Sequence, residues 1–256
     1  MIRRLFGRKK SRPEPLPELP PGDGDFRLPF QTDLHSHLIP GIDDGVPDME
    51  RALHLLRGLE ALGYRRLITT PHVMADAYRN SSARILAGWE ALCEAAEREG
   101  VGLEIAVAAE YYLDEELQRR LEAGDILTIG EHWLLFETSY YNEPLSLEDR
   151  IYEISARGYR PMMAHPERYR YVRDYEAFYG RLREMGVALQ VNINSLGGYY
   201  GRDARAKALW LAERGWIDFL GSDIHAWKQV EFLERSIASG VLEPLILKNA
   251  VGNDNL

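Results

Sequence analysis

Two stretches decide the fold: Gln31-Thr32-Asp33-Leu34-His35-Ser36-His37-Leu38 and, far along the chain, Gly221-Ser222-Asp223-Ile224-His225. Side chains two apart on a strand share a face. Asp33, His35 and His37 therefore line up, with Leu34, Ser36 and Leu38 opposed, and Asp223 lines up with His225. Ligand-type residues at the end of a strand suit the C-terminal face of an α/β barrel, where such folds build their sites. Closure would make the first and last strands neighbours and bring the two groups together.

The chain between them supports that reading. Further strand candidates are RRLITTPH (65–72), LEIAVAAEYY (103–112), HWLLFETS (132–139), YRPMMAH (159–165) and VALQVNIN (187–194), with IDFLGSD (217–223) last. Helical patterns separate them. In the first, Met49, Ala52, Leu53, Leu56, Leu59 and Leu62 keep the i, i+3, i+4 spacing and Gly63 stops it. Others fall at about 82–99, 114–123, 146–157, 174–185, 203–214 and 228–239. Strand then helix, about seven times over, predicts parallel βα units and one α/β barrel over residues 26–256. Residues 1–25 read as a disordered tail: a basic start, then PEPLPELPPGDGD (13–25), an extended linker with no core of its own.

Charge narrows the partners. The formal net charge is −9, yet six of the 31 basic residues lie in residues 1–12, so the rest sets 25 bases against 40 acids. A body this acidic repels nucleic-acid phosphates, and nucleic acid is not expected as a partner. No stretch reaches the roughly 20 apolar residues of a membrane helix, and the basic start lacks a signal peptide's apolar region. One cysteine, Cys93, excludes an intramolecular disulfide and fits a reducing cytoplasm.

Four more ligand-type residues stand at strand ends: His72 in TTPH, Glu110 in AAEYY, Glu137 in LFETS and His165 in MAHPERY. A Glu behind Ala-Val-Ala-Ala or Leu-Leu-Phe is costly to bury without a cation or hydrogen bonds. Asp43-Asp44-Gly45 follows the first strand and reads either as a capped turn or, at Asp44, as a further ligand. LGGYYG (196–201) is a substrate-facing loop or simple packing. His54 and His132 read as structural.

Taken in order and spacing, DLHSHLIPGIDDG, TTPH, AAEYY, LLFETS, AHPERY and GSDIH resemble the PHP (polymerase and histidinol phosphatase) superfamily. Within it they are similar to the bacterial tyrosine-protein phosphatases of capsular and exopolysaccharide synthesis. The resemblance runs from about Thr32 to about Leu233. It implies a distorted (β/α)7 TIM-like barrel holding three divalent metal ions, manganese foremost, with iron or zinc compatible with the same N/O donors. Carried over position by position, it implies His35, His37, Glu110 and Asp223 around one ion. Glu110 would bridge to a second held by Glu137 and His165, and Asp44, His72 and His225 would hold a third.

The resemblance further implies that Arg168 contacts the substrate phosphate, since a guanidinium offers parallel N–H donors. His225 or a metal-bound water is the candidate proton donor. After GSDIH relatives carry a second basic, often Arg-containing stretch; here Ala226-Trp227-Lys228 follows, and Lys228 offers only a point charge. Asn194, Tyr78 and Arg79 are expected at the rim. The implied substrate is the phosphotyrosine tail of a bacterial tyrosine kinase near the inner membrane face, which the basic residues 1–12 would contact weakly. A thiol mechanism needs Cys-x5-Arg, but the residue six beyond Cys93 is Glu99. The alternatives are a PHP phosphoesterase for a small phosphomonoester such as histidinol phosphate, and a binding module with an inactive metal site.

Overall fold

The computed structural model describes residues 16–19 and 26–256. The basic segment 1–12, with its expected membrane contact, lies outside the described residues, as does most of the proline-rich segment.

The expected alternation is realised. The elements in order are β1 (Thr32–Asp33), α1 (Met49–Ala61), β2 (Arg66–Thr69), β3 (His72–Val73), α2 (Ser82–Arg98), β4 (Glu104–Val107), β5 (Glu110–Tyr112), α3 (Glu115–Ala123) and β6 (Trp133–Glu137). There follow α4 (Leu147–Ala156), β7 (Arg160–Ala164), α5 (Tyr175–Glu184), β8 (Ala188–Asn192), α6 (Ile193–Gly197), α7 (Arg202–Glu213), β9 (Phe219–Gly221), α8 (Trp227–Ala238) and α9 (Glu243–Ile246). Side chains of Asp48, Ser81, Asp114 and Asp174 accept from first-turn amides and so set four helix starts. Gly63, at φ 102°, follows α1 where the sequence placed its stop.

All strand pairs are parallel, in the orders β1-β2-β4 and β3-β5-β6-β7-β8-β9. The runs expected as single strands at 65–72 and 103–112 are each split in two. Pro71, which has no N–H for a ladder, interrupts the first, and its neighbour breaks beside it at Ala108–Ala109. Counted as runs there are seven strands among the described residues, and the ring closes where Ser36 bridges Ile224 in parallel. His37 N donates to Ile224 O at 3.0 Å and Asp223 N donates to His35 O at 2.8 Å. The architecture is a distorted (β/α)7 barrel.

Two further details differ from the sequence reading: the run expected as a strand to residue 194 gives way to α6 at Ile193, and the first strand is short. β1 ends at Asp33, so DLHSHL does not alternate as a regular strand. Leu34 joins Ile68, Ala108, Leu135, Met162, Ala188 and Phe219 in a buried cluster drawing on successive strands, the filling of the barrel. A much larger apolar layer lies between strands and helices. Among the described residues no helix is long and apolar enough to cross a membrane.

Candidate metal centre

The barrel's regular strands carry the site on their C-terminal ends. On β6, Leu135 fills the barrel and Glu137, two residues on, reaches the site, both fully or almost fully buried. β5 begins at Glu110 and β3 at His72, and the two are in register. His165 and Asp223 follow β7 and β9 with φ of 34° and 51°, the only positive values outside glycine among the described residues. Such backbone costs about 1–3 kcal/mol per residue and survives only where the surroundings enforce it. Here both strained residues point ligand atoms at the same place.

Glu110 sits at the middle. Its Oε1 is 2.9 Å from His165 Nε2, while Oε2 lies 3.3 Å from His35 Nε2, 3.4 Å from His37 Nε2 and 3.0 Å from His72 Nδ1. Asp223 Oδ1 stands 3.6 Å from His35 Nε2 and 3.5 Å from His37 Nε2. Glu137 Oε1 is 3.0 Å from His72 Nδ1, and Glu137 Oε2 is 3.9 Å from His165 Nε2. On the solvent side, Asp44 Oδ1 is 3.4 Å from His72 Nε2 and 3.6 Å from His225 Nε2. All nine ligand-type residues singled out in the sequence therefore come together. His72 straddles two groups, one nitrogen toward the two glutamates and the other toward Asp44.

Three observations fit these residues to divalent cations. His35 Nδ1 donates to Gln190 Oε1 at 2.7 Å and His37 Nδ1 to Asp43 Oδ2 at 2.9 Å, which turns both Nε2 lone pairs inward, only 3.2 Å apart. Two lone pairs at that distance repel unless a proton or a metal cation lies between them. Next, Glu110 Oε2, Glu137 Oε1, His72 Nδ1 and His165 Nδ1 are buried with no aligned hydrogen bond. Such groups are costly unless something else satisfies them. Last, the donors are imidazole and carboxylate only, the set that suits Mn, Fe or Zn.

The titration of the site tells the same story. Burial alone would lower His35, yet Glu110 and Asp223 raise it to about 9. Against the same burial, Glu110 lifts His72 well above its ordinary value and Asp223 lifts His225. Burial would raise Glu110, but His35 and His72 hold it well below the carboxylate range. The His225 and His72 imidazoles beside it lower Asp44. The carboxylates thus recruit positive charge from whatever is near.

Arg168 closes one wall. Its Nη1 donates to Asp223 Oδ2 at 2.8 Å, and its guanidinium carbon lies 4.8 Å from the Tyr140 ring centre and 4.3 Å from that of Tyr200. Asn192 Nδ2 donates to the same Oδ2 at 2.6 Å, leaving Oδ1 for the cluster. A cavity of about 360 Å³ opens here, bordered by Asp44, His72, Tyr78, Arg168, Tyr200 and His225 among others. Tyr78 stacks on His72, ring centres 5.4 Å apart. LGGYYG is the site-facing loop, through Tyr199 and Tyr200.

Some expectations are corrected. Asn194 is wholly buried in α6 and donates through Nδ2 to Gln229 O, so it is no rim residue. Arg79 donates back to Ala75 O and Lys228 is exposed on α8; neither borders the cavity. His225 Nδ1 donates to Asp223 O at 3.0 Å, which turns its Nε2 toward Asp44 Oδ1, 3.6 Å away. Asp33, aligned in the sequence with His35 and His37, is no part of the cluster; it accepts Ser222 N at 2.8 Å and Ser222 Oγ at 2.5 Å and ties the first strand to the last. His54 stacks on Trp227 at 3.9 Å, a structural role.

Other residues escaped the sequence reading. Asp43 forms the expected turn with Gly45 N and in addition holds His37 and accepts His72 N. Gln190, Asn192 and Gln229 hold His35, Asp223 and the amides of His225 and Ala226. The signal for two of them was present: Gln190 and Asn192 are polar at i, i+2 inside an otherwise apolar strand.

Known proteins are similar to this chain throughout the barrel. The tyrosine-protein phosphatase YwqE of Bacillus subtilis (strain 168) is 30% identical over 201 residues, 78% of this chain and 79% of that protein. The putative tyrosine-protein phosphatase CapC of Staphylococcus aureus is 25% identical over 207 residues, covering 80% and 81%. A solved structure from work on YwqE and on CpsB of Streptococcus pneumoniae, described as unique metal-dependent tyrosine phosphatases, superposes with a TM-score of 0.73. It is 27% identical and covers 86% of this chain and 96% of its own. With residues 31–236 matching the family model for capsular polysaccharide synthesis, CpsB/CapC, the chain belongs to that family.

Proposed function

We infer that the protein is a metal-dependent protein-tyrosine phosphatase. The observation that carries this is the convergence of nine imidazole and carboxylate ligands beside Arg168 in a chain whose relatives are named tyrosine-protein phosphatases. The donors group into four overlapping sets, His35/His37/Asp223, His35/Glu110/His165, His72/Glu110/Glu137 and His37/Asp44/His72/His225, in which His35, His37, Glu110 and His72 each recur, and three ions are the number we propose for them. Manganese is the metal we propose. Divalent ions bound there would lower the pKa of water enough to supply a nucleophile at neutral pH and would neutralise phosphoryl charge.

The chain's own residues supply the rest. Arg168, stacked between Tyr140 and Tyr200, presents N–H donors to the non-bridging phosphoryl oxygens. Asn192 keeps Asp223 in place if Arg168 turns from it toward the phosphate. Tyr78 and Tyr199 border the cavity where the substrate ring would lie. A tyrosine phenolate, with a pKa near 10, leaves with less protonation than an alkyl alcohol requires. This agrees with His225 acting as ligand. The substrate we propose is the phosphorylated tail of a kinase in capsule or exopolysaccharide synthesis, met in the cytoplasm.

The test sets a phosphotyrosine peptide against histidinol phosphate, with and without chelator. Hydrolysis of the peptide with at least a tenfold higher kcat/KM, lost with chelator and restored by Mn²⁺, is expected. Preference for histidinol phosphate would replace this reading by the small-ester one.

A further inference from the structure

A second cavity, of about 690 Å³, lies against the first and shares Arg168, Tyr140 and Tyr200 with it. Its lining adds Arg170, Arg173 and Arg202, three exposed arginines drawn from segments on either side of α5. Such a concentration of guanidinium groups is unexpected in a chain of net charge −9. Several surface arginines elsewhere are matched with acids, as in Arg57–Glu99, Arg119–Glu116 and Arg214–Glu176, and others, such as Arg79 and Arg84, stand singly on backbone carbonyls. Among the described residues, Arg170, Arg173 and Arg202 have no carboxylate partner. Asp203, the acid of this lining, is already taken by Lys207 Nζ at 2.5 Å.

Two further features suit an anion carried on a polypeptide. Tyr141, 65% exposed, borders the cavity with the Arg170 guanidinium carbon 5.3 Å from its ring centre, an aromatic surface for a passing side chain. The start of α7 borders it too. Gly201 offers no side-chain cap, so first-turn amides add their donors to those of the arginines.

We propose that this cavity is an anion subsite that takes a second acidic side chain, phosphate or carboxylate, of the same polypeptide whose phosphotyrosine occupies the metal cluster. This rests on the phosphatase reading for the first site but uses different residues. A small phosphomonoester such as p-nitrophenyl phosphate has a single anionic group, which the first site takes. The subsite therefore selects acidic or multiply phosphorylated tyrosine segments and leaves small-ester hydrolysis untouched.

The experiment uses the full metal-loaded chain and fluorescent peptides in which a non-hydrolysable phosphonate replaces the target phosphotyrosine. A neighbouring position, varied from one to four residues away, carries Gln, Glu or a second phosphonate. Anisotropy should show about tenfold tighter binding of the best acidic peptide than of its Gln counterpart. In the double variant Arg173→Gln/Arg202→Gln that preference should collapse to parity, with p-nitrophenyl phosphate turnover unchanged. Equal gains from Glu and phosphonate would identify charge alone as the determinant; a gain from phosphonate only would identify phosphate. Parity in the unmutated protein, a preference retained by the double variant, or failure of every peptide to bind would overturn the proposal. Absent hydrolysis of every phosphotyrosine substrate would instead count against the phosphatase reading, because anisotropy does not depend on turnover.

Discussion

His35 shows how much of the site depends on residues that are not ligands. Its Nε2 faces Glu110 and Asp223 only because Nδ1 is spent on Gln190, whose own amide donates to Asn192 Oδ1 at 3.1 Å. Asn192 in turn holds Asp223, so one chain of amides orients ligands from both sides of the barrel closure. Loss of such a partner typically weakens metal binding about 10–100-fold. Gln190→Ala should do so in a calorimetric Mn²⁺ titration while the far-ultraviolet spectrum of the protein stays unchanged. Unaltered Mn²⁺ affinity would mean the His35 ring is oriented by packing alone.

The elements constrain the site through close approach as well as through bonds. A Cβ at Gly221, the last residue of β9, would lie 2.6 Å from His35 Cβ and 2.7 Å from Gln190 Nε2. Neither neighbour is free to retreat, since both belong to the chain of hydrogen bonds just described. Gly221→Ala should destabilise the protein by about 1–3 kcal/mol through overpacking, read from urea unfolding, and should lower metal affinity with it. Gly63→Ala, where no atom lies within 4 Å of the added Cβ but φ is 102°, separates backbone strain from steric conflict. A loss of metal affinity in Gly63→Ala equal to that in Gly221→Ala would refute the steric account.

For the whole molecule, the cluster gathers candidate ligands from the segments after β1, β7 and β9 and from β3, β5 and β6, so a bound metal would act as a bolt across the ring. A ligand that binds the folded state alone stabilises it by mass action, and chelation should lower the Tm by about 5–10 °C, reversed by Mn²⁺. Cys93→Ser should leave both Tm and turnover near those of the parent. Its Sγ packs 3.8 Å from Ile105 O on the outside of the barrel and borders none of the site. A Tm indifferent to chelator would mean the barrel closes on its own hydrogen bonds, such as those from Ser222 to Asp33. By itself the sequence determined the seven-fold alternation, the seven longer helices nearly to the residue and the imidazole and carboxylate residues at the strand ends, though not the short α6 and α9. Apolar period and strand-end chemistry are local properties, written in neighbouring residues. It could not show that Pro71 would split a strand with its neighbour, that DLHSHL would leave regular alternation at Asp33, or that Gln190 would hold His35. The same holds for Arg170, Arg173 and Arg202, which meet at one cavity from either side of α5. Only closure of the ring and packing of its helices decide which distant side chains share a space, and no spacing along the chain encodes that.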